Sequence, residues 1–145
     1  MRSLLCWLLL LSGAFAEDAT WPQWRGPNRD GVIQAAPWPS KVDEAALKLR
    51  WQEKLDPSYS GPIIAGDRIY TTETRDLESE FVMAFDRPTG KKVWEVGWPG
   101  RMSVPFFAKD NGSWIRATPA LDGDSLYVAG MRDVLVCIDA KTIEL

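Results

Sequence analysis

Side chains that could do chemistry are few in this sequence, and their types exclude most reaction classes. Among 145 residues there is no histidine, which removes Ser-His-Asp and Cys-His triads, imidazole metal ligands and the commonest general base. Asp76, Glu78 and Glu80 invite comparison with a Ca²⁺ site, but their spacing matches no EF-hand loop. We therefore expect a charged loop there, and we assign no catalytic and no metal-binding residue.

A long connection rich in aromatic residues is the second candidate for function. It runs from Trp98 to Trp114 and contains Pro-Gly and Asp-Asn-Gly turn signals. Connections longer than about 12–15 residues are often functional. Two interpretations stay open, a surface site or a cover for the rim of the fold. The residues of the possible surface site are Arg101, Phe106, Phe107 and Trp114.

The first 16 residues have the composition of a secretory signal peptide. Arg2 precedes a leucine-rich apolar run, and residues 14–16 match a small-residue cleavage site. The run is about half as long as the ~20 apolar residues that a transmembrane helix needs. We therefore predict a protein exported to the periplasm or the cell exterior, with no transmembrane helix after cleavage.

Charge and composition limit the partners and the architecture of the remaining chain. The net charge of −3 argues against nucleic acid as a partner, because a phosphate-backbone binder normally carries a basic patch. Residues 17–46 are rich in Pro, Gly and Trp, which predicts a leader that wraps over a folded body. In residues 47–53, Leu47, Leu49 and Trp51 alternate with polar residues, which predicts a single β-strand.

Short strands between turn signals follow in two copies. Pro62–Tyr70 and Pro119–Tyr127 share Pro, Gly, Asp and Tyr at an offset of 57, whereas Val82–Asp86 and Leu135–Asp139 align at an offset of 53. Four residues are thus lost between the second and third strands. One such sheet has two apolar faces that only stacking can bury. The sequence predicts an all-β fold, a β-propeller of four-stranded antiparallel blades that is incomplete, with about two blades and one stray strand.

The repeat also carries a recognisable motif. Residues 84–94 fit the pattern A-x-D-x-x-T-G-x-x-x-W, which is similar to the repeat of quinoprotein-dehydrogenase-like propellers, the PQQ-like repeats that BamB-like proteins share. The segments Trp21–Gly31 and Arg116–Ala120 also resemble secreted members. The predicted parts are a signal peptide at 1–16, a leader at 17–46, and repeats at 47–145, with one blade at 61–97 and a partial blade at 117–145.

The resemblance implies structural roles for most of the notable residues. Asp86 and Gly90 would form the turn between the third and fourth strands, and Trp94 would dock between neighbouring blades, as Trp51 would from a preceding blade. Cys137 stands where the first copy has Ala84, and we expect it to be buried. The residues with a structural role in the repeat are Trp51, Gly66, Asp67, Ala84, Asp86, Thr89, Gly90, Trp94, Gly123, Asp124, Asp139 and Thr142.

Two functions are compatible with this resemblance. The first is an exported, non-catalytic binding or scaffold module whose partners are exported or outer-membrane proteins. The alternative is a quinoprotein oxidoreductase of alcohols or sugars, for which pyrroloquinoline quinone with Ca²⁺ is implied by the family alone. Two blades leave open edges and bare apolar faces, so we also expect that C-terminal blades are missing from this chain and that it is unstable or oligomeric alone.

Overall fold

The computed structural model describes residues 20–33, 39–100 and 103–144. The predicted signal peptide at 1–16 and Arg101 lie outside these ranges. The described chain forms seven strands and one short 3₁₀ helix, Phe106–Asn111, and none of its helices is long and apolar enough to cross a bilayer. The strands are β1 (Ile63–Ala65), β2 (Arg68–Arg75), β3 (Ser79–Asp86), β4 (Lys92–Pro99), β5 (Ala120–Asp122), β6 (Ser125–Ala129) and β7 (Leu135–Asp139).

The strands form two antiparallel meanders that correspond to the two sequence copies. The first sheet has the order β1-β2-β3-β4 and the second the order β5-β6-β7. Tyr70 pairs with Ala84 in the first sheet, and Tyr127 pairs with Cys137 in the second. The second pair is four residues closer in sequence, which places the shortening in the β2–β3 hairpin, as predicted. The expected all-β architecture of partial propeller blades is confirmed.

The core lies between the two sheets. Alternate residues of a strand point to one face, and the first sheet presents Ile63, Tyr70, Val82 and Ala84, all buried, to the second. The second sheet packs a face of aliphatic side chains against them. These are Leu126, Val128, Val136 and Ile138, each at most 8% exposed.

The turn after the third strand has the same hydrogen bonds in both copies. The Asp86 carboxylate accepts from the backbone N–H of Thr89, and the Asp139 carboxylate accepts from that of Thr142. The pKa of Asp86 is lowered mainly by the hydrogen bond from the Thr89 hydroxyl and then by this backbone bond. The pKa of Asp139 is lowered mainly by the backbone bond from Thr142. Ile143 stands where the first copy has Gly90, and both have positive φ, 65° and 75°. The second copy therefore forms the same turn although isoleucine replaces the glycine of the motif.

Two predictions are corrected by the structure. Residues 47–53 form no strand, because residues 48–55 exchange no backbone-to-backbone hydrogen bond with any described segment. Cys137 is exposed, whereas Ala84 in the equivalent position is fully buried. The difference arises because the first sheet is covered on that face by the second sheet, and the second sheet has no described sheet beyond it.

The described part of the leader closes one edge of the first sheet. Trp21 exchanges two backbone hydrogen bonds with Ile64 of β1, at 2.7 and 2.9 Å. The carbonyl of Pro22 accepts from the N–H of Leu121 in β5. The leader therefore bridges the first strands of both sheets, and it protects an edge that would otherwise offer unpaired backbone groups.

Candidate binding surface

The connection between β4 and β5 is fixed at its base. Ile115 is fully buried and donates its backbone N–H to Thr74 Oγ1 at 2.9 Å. Its carbonyl accepts from the N–H of Tyr59, also at 2.9 Å. The base is thereby attached both to β2 and to the segment that leads into β1, and the residues before it form a loop anchored at these two points.

An aromatic and cationic cluster forms the second attachment. The rings of Tyr59 and Trp114 lie 5.3 Å apart, and the guanidinium of Arg116 lies 4.8 Å from the centre of the Tyr59 ring. Arg116 also donates to the carbonyls of Asn111 and Gly112 at 3.2 and 2.9 Å. This cluster holds the end of the 3₁₀ helix, and Tyr59 and Arg116 are contributors that the sequence prediction missed.

The tip of the loop presents two phenylalanines to solvent. Phe106 is 83% exposed and Phe107 is 79% exposed, and their rings meet edge to face with centres 5.6 Å apart. The 3₁₀ helix that carries them contains no buried residue. Two adjacent aromatic side chains held out on a fixed loop are unusual for a surface that has no partner. Of the predicted surface site, Phe106 and Phe107 lie together, Trp114 serves the base instead, and Arg101 is outside the described residues.

Glu80 is a buried carboxylate that the sequence analysis placed wrongly in a charged loop. It lies in β3 and is fully buried. Its oxygens accept from Trp98 Nε1 at 2.9 Å and from the backbone N–H of Met131 at 3.0 and 3.2 Å. Since Met131 follows β6, this carboxylate joins the two sheets. A Cβ at Gly130 would lie 2.5 Å from it, so the close approach requires glycine.

The acidic residues considered for Ca²⁺ do not fit such a site. Both oxygens of Glu80 are engaged by N–H donors, and Asp76 lies at the tip of the β2–β3 hairpin with a φ of 54°. The described residues contain no group of three or more His, Cys, Asp or Glu placed to hold a metal ion. No chemistry of this chain is therefore assigned to these carboxylates.

The opposite face of the first sheet carries an ion-pair network beside a cavity of about 330 Å³. Arg75 donates to Glu95 at 2.8 and 3.0 Å and also to Glu73. Hydrogen bonds from Arg75 and then from Lys92 lower the pKa of Glu95 from 4.5 to about 2, and the bond to Glu95 raises the pKa of Arg75. Within this network both Arg75 and Lys92 pair with carboxylates, so we interpret the network as structural ion pairing.

The two predicted docking tryptophans occupy different settings. Trp94 packs against the core between the sheets, with its ring centre 5.8 Å from that of Tyr70. Trp51 lies against the turn of the first sheet, where a Cβ at Gly90 would be 2.5 Å from its ring. Its indole N–H donates to the carbonyl of Arg87 at 2.8 Å. Gly90 is therefore required twice, for its positive φ and for the approach of Trp51.

The turn between the first two strands of each repeat, β1–β2 and β5–β6, also has the predicted residues in equivalent places. Gly66 and Gly123 have φ of 54° and 57°, which glycine adopts at no steric cost. The carbonyls of the following Asp67 and Asp124 accept from the residue after the third strand, Arg87 and Ala140, at 2.9 and 2.8 Å.

Comparison with known proteins agrees with this geometry. Residues 78–145 match a family model described as outer membrane protein assembly factor BamB. The match begins at the hairpin before β3 and includes β4, the connection between β4 and β5, and all of the second sheet. No curated protein matches the chain at a significant level.

Proposed function

Because the protein is a PQQ-like repeat protein, we propose that it is an exported, non-catalytic binding module, and that the aromatic loop of residues 103–114 is its binding surface. In this proposal residues 1–16 direct export, residues 17–46 are the leader, and residues 47–145 are the repeats. The partner is an exported or outer-membrane protein, in keeping with the assembly role named in the description of the matching family.

The exposed pair Phe106 and Phe107 carries this proposal. Burial of one such ring is worth about 1.5–3 kcal/mol, so leaving both in water is unfavourable unless a partner covers them. Aromatic side chains are enriched at the energetic centres of protein interfaces. The fixed base lowers the entropy lost when the loop is ordered against a partner. Exposed aromatics on a rigid support are thus suited to recognition.

The experiment measures binding of the purified protein to purified components of a bacterial outer-membrane assembly machinery by biolayer interferometry. The double variant Phe106→Ala/Phe107→Ala is expected to bind at least about tenfold more weakly, the loss typical of an interface hot spot. The matched control is Leu77→Ala/Val93→Ala, which removes two exposed apolar side chains elsewhere. Unchanged binding by the phenylalanine variant, or no binding by the wild type, would contradict the proposal.

A quinone titration of the same purified protein distinguishes the oxidoreductase alternative from the binding module. The protein is titrated with pyrroloquinoline quinone and Ca²⁺ while the quinone absorbance is followed. A saturable spectral change that is unaffected by Phe106→Ala/Phe107→Ala would favour the quinoprotein alternative over the binding module.

A further inference from the structure

A cavity of about 390 Å³ lies at the rim of the first sheet where β1 turns into β2 and β3 turns into β4. Its lining residues are Arg50, Asp67, Arg87 and Pro88. Two of the four carry a guanidinium and one carries a carboxylate, whereas the whole chain has a net charge of −3. The local charge is therefore opposite in sign to that of the chain and attracts an anion.

Both guanidiniums are held at this rim without being neutralised. The Arg87 side chain donates to the carbonyl of Gly66 at 3.2 Å, which uses one of its five N–H donors. Arg50 precedes Trp51, whose indole N–H donates to the carbonyl of Arg87 at 2.8 Å. Among the described residues neither arginine has a carboxylate partner. Guanidiniums in this state can bind an oxyanion through charge-assisted hydrogen bonds.

The second repeat forms the same turn without the guanidinium of Arg87. Ala140 stands at the equivalent position, and both residues donate their backbone N–H to the aspartate carbonyl of the preceding turn. Gly123 has a φ of 57° against 54° for Gly66, although Ala140 has no side chain that could donate to its carbonyl. The turn therefore does not require the arginine side chain, which leaves that side chain available for a ligand.

The aspartate of the same turn is paired in the second repeat and unpaired in the first. Asp124 accepts a hydrogen bond from Lys141 Nζ at 2.7 Å. At the offset of 53 that relates the third strands, Pro88 stands where the second copy has Lys141. The Asp67 carboxylate has no hydrogen-bond or ion-pair partner among the residues that the structure describes. The first repeat thus places an available acceptor beside available donors in one cavity.

A cavity with two guanidiniums and one unpaired carboxylate discriminates between oxyanions. Sulfate carries no proton at neutral pH, so a carboxylate beside it only repels it. Hydrogen phosphate keeps one P–OH group, which can donate to the carboxylate while the other oxygens accept from the guanidiniums. A phosphate monoester loses its second proton at a pH of about 6, so at higher pH it has no such donor.

We propose that this cavity binds inorganic phosphate: Arg50 and Arg87 donate to the phosphate oxygens, and Asp67 accepts from the phosphate hydroxyl. Pro88 lines the cavity and carries no charge that would compete for Asp67. The aromatic loop leaves β4 at the opposite rim of the sheet. This inference therefore does not depend on the proposed function of that loop.

Titration of the full chain with sodium phosphate, followed by the NMR resonance of the Trp51 indole N–H, provides the first test. This group donates to the Arg87 carbonyl, so its resonance reports on the rim. At constant ionic strength and a pH of about 7.5, where a phosphate monoester is doubly ionised, a saturable shift with inorganic phosphate is expected. Sodium sulfate and glycerol 3-phosphate should bind at least about tenfold more weakly, because neither has a proton for Asp67. No saturable shift with phosphate, or equal affinity for sulfate or the ester, would overturn the proposal.

Arginine variants test which side chains hold the ion. Arg87→Ala is expected to fold, because the second repeat has alanine at the equivalent position, and it should bind phosphate about tenfold more weakly. Arg50→Ala should weaken binding in the same way and removes no hydrogen bond of the described chain. Arg132→Ala is the matched control, since it removes an exposed arginine outside the cavity. An equal loss of affinity in the control would reduce the effect to net charge and overturn the site.

A variant of the aspartate tests the selectivity separately. Asp67→Asn replaces the repelling carboxylate by an amide that can donate to an oxyanion. We expect this variant to bind sulfate as tightly as phosphate. If Asp67→Asn retained the wild-type preference for phosphate, the role of Asp67 as acceptor of the phosphate proton would be refuted.

Discussion

The backbone N–H of Met131 donates to the fully buried carboxylate of Glu80, and this hydrogen bond joins the two sheets. We expect Glu80→Ala to lower the free energy of unfolding by about 2–4 kcal/mol, because it leaves the partly buried donors Trp98 Nε1 and Met131 N–H without their acceptor and opens a cavity. Glu80→Gln keeps the volume and should cost less. Chemical denaturation measures both, with Glu44→Gln as an exposed control. A loss below about 0.5 kcal/mol for the alanine variant would argue against a buried inter-sheet bond.

Ile143 adopts a left-handed backbone conformation in the turn that Gly90 forms in the first repeat. This conformation costs a residue with a Cβ about 1–2 kcal/mol. Glycine avoids that cost, but it loses more conformational entropy on folding, which offsets part of the gain. Ile143→Gly is therefore expected to raise the stability by up to about 1 kcal/mol, measured as a higher unfolding midpoint in urea.

The reciprocal change at Gly90 should have the opposite sign. Gly90→Ala combines an unfavourable φ with a Cβ that would lie 2.5 Å from the Trp51 ring, and we expect it to destabilise the protein by about 2 kcal/mol or more. If the alanine variant retained wild-type stability, the close packing of Trp51 on this turn would be refuted. Thermal unfolding followed by circular dichroism is sufficient to compare the two.

Glu95 contributes stability that depends on pH. Its pKa in the folded protein is about 2, below the ordinary value of 4.5, so its contribution is complete above pH 4.5 and is lost as the pH falls towards 2. Glu95→Gln should lower the unfolding temperature at pH 7 and make no difference near pH 2. The side chain is about one-third exposed, so the effect should stay below about 1 kcal/mol. A gap between the two proteins that does not change with pH would contradict this.

Arg116 should control the order of the aromatic loop. Its two hydrogen bonds and its contact with Tyr59 hold the end of the 3₁₀ helix. Arg116→Ala is expected to cost about 1 kcal/mol locally, which raises the population of the open loop about fivefold. Trypsin cleavage after Lys109, followed by mass spectrometry, should accelerate accordingly. Replacement of the exposed Arg132 provides the comparison and should leave the rate unchanged.

Local features of this fold were predictable from the sequence, and features that depend on the partner sheet were not. The change of offset from 57 to 53 located the hairpin difference, because a loop absorbs a deletion without disturbing the strands. Glu80 was misplaced, although its alternation with Val82 and Ala84 puts all three on the buried face. Cys137 was misplaced because the repeat defines which face it lies on and says nothing of what covers that face.

The candidate binding surface was likewise predictable from the sequence only in part. Exposed phenylalanines in a long connection are visible in the sequence, and Phe106 and Phe107 do lie together at the tip. Trp114 could not be separated from them by pattern, since its partner Tyr59 is distant along the chain. A tertiary contact of this kind is specified by the folding of β2 against the connection, through Thr74 and Ile115.

The hydrogen bonds from Arg87 to Asp67 and from Ala140 to Asp124 are the same in both repeats, although the hairpins at the other end of the sheets differ by four residues. In the described parts of the two repeats, the difference in length therefore lies at the rim that carries the hairpin between the second and third strands. The aromatic loop leaves β4 at that same rim. An engineer who wished to graft a recognition peptide onto this protein would insert it between Arg75 and Ser79, and would leave the Asp67 and Asp124 turns untouched.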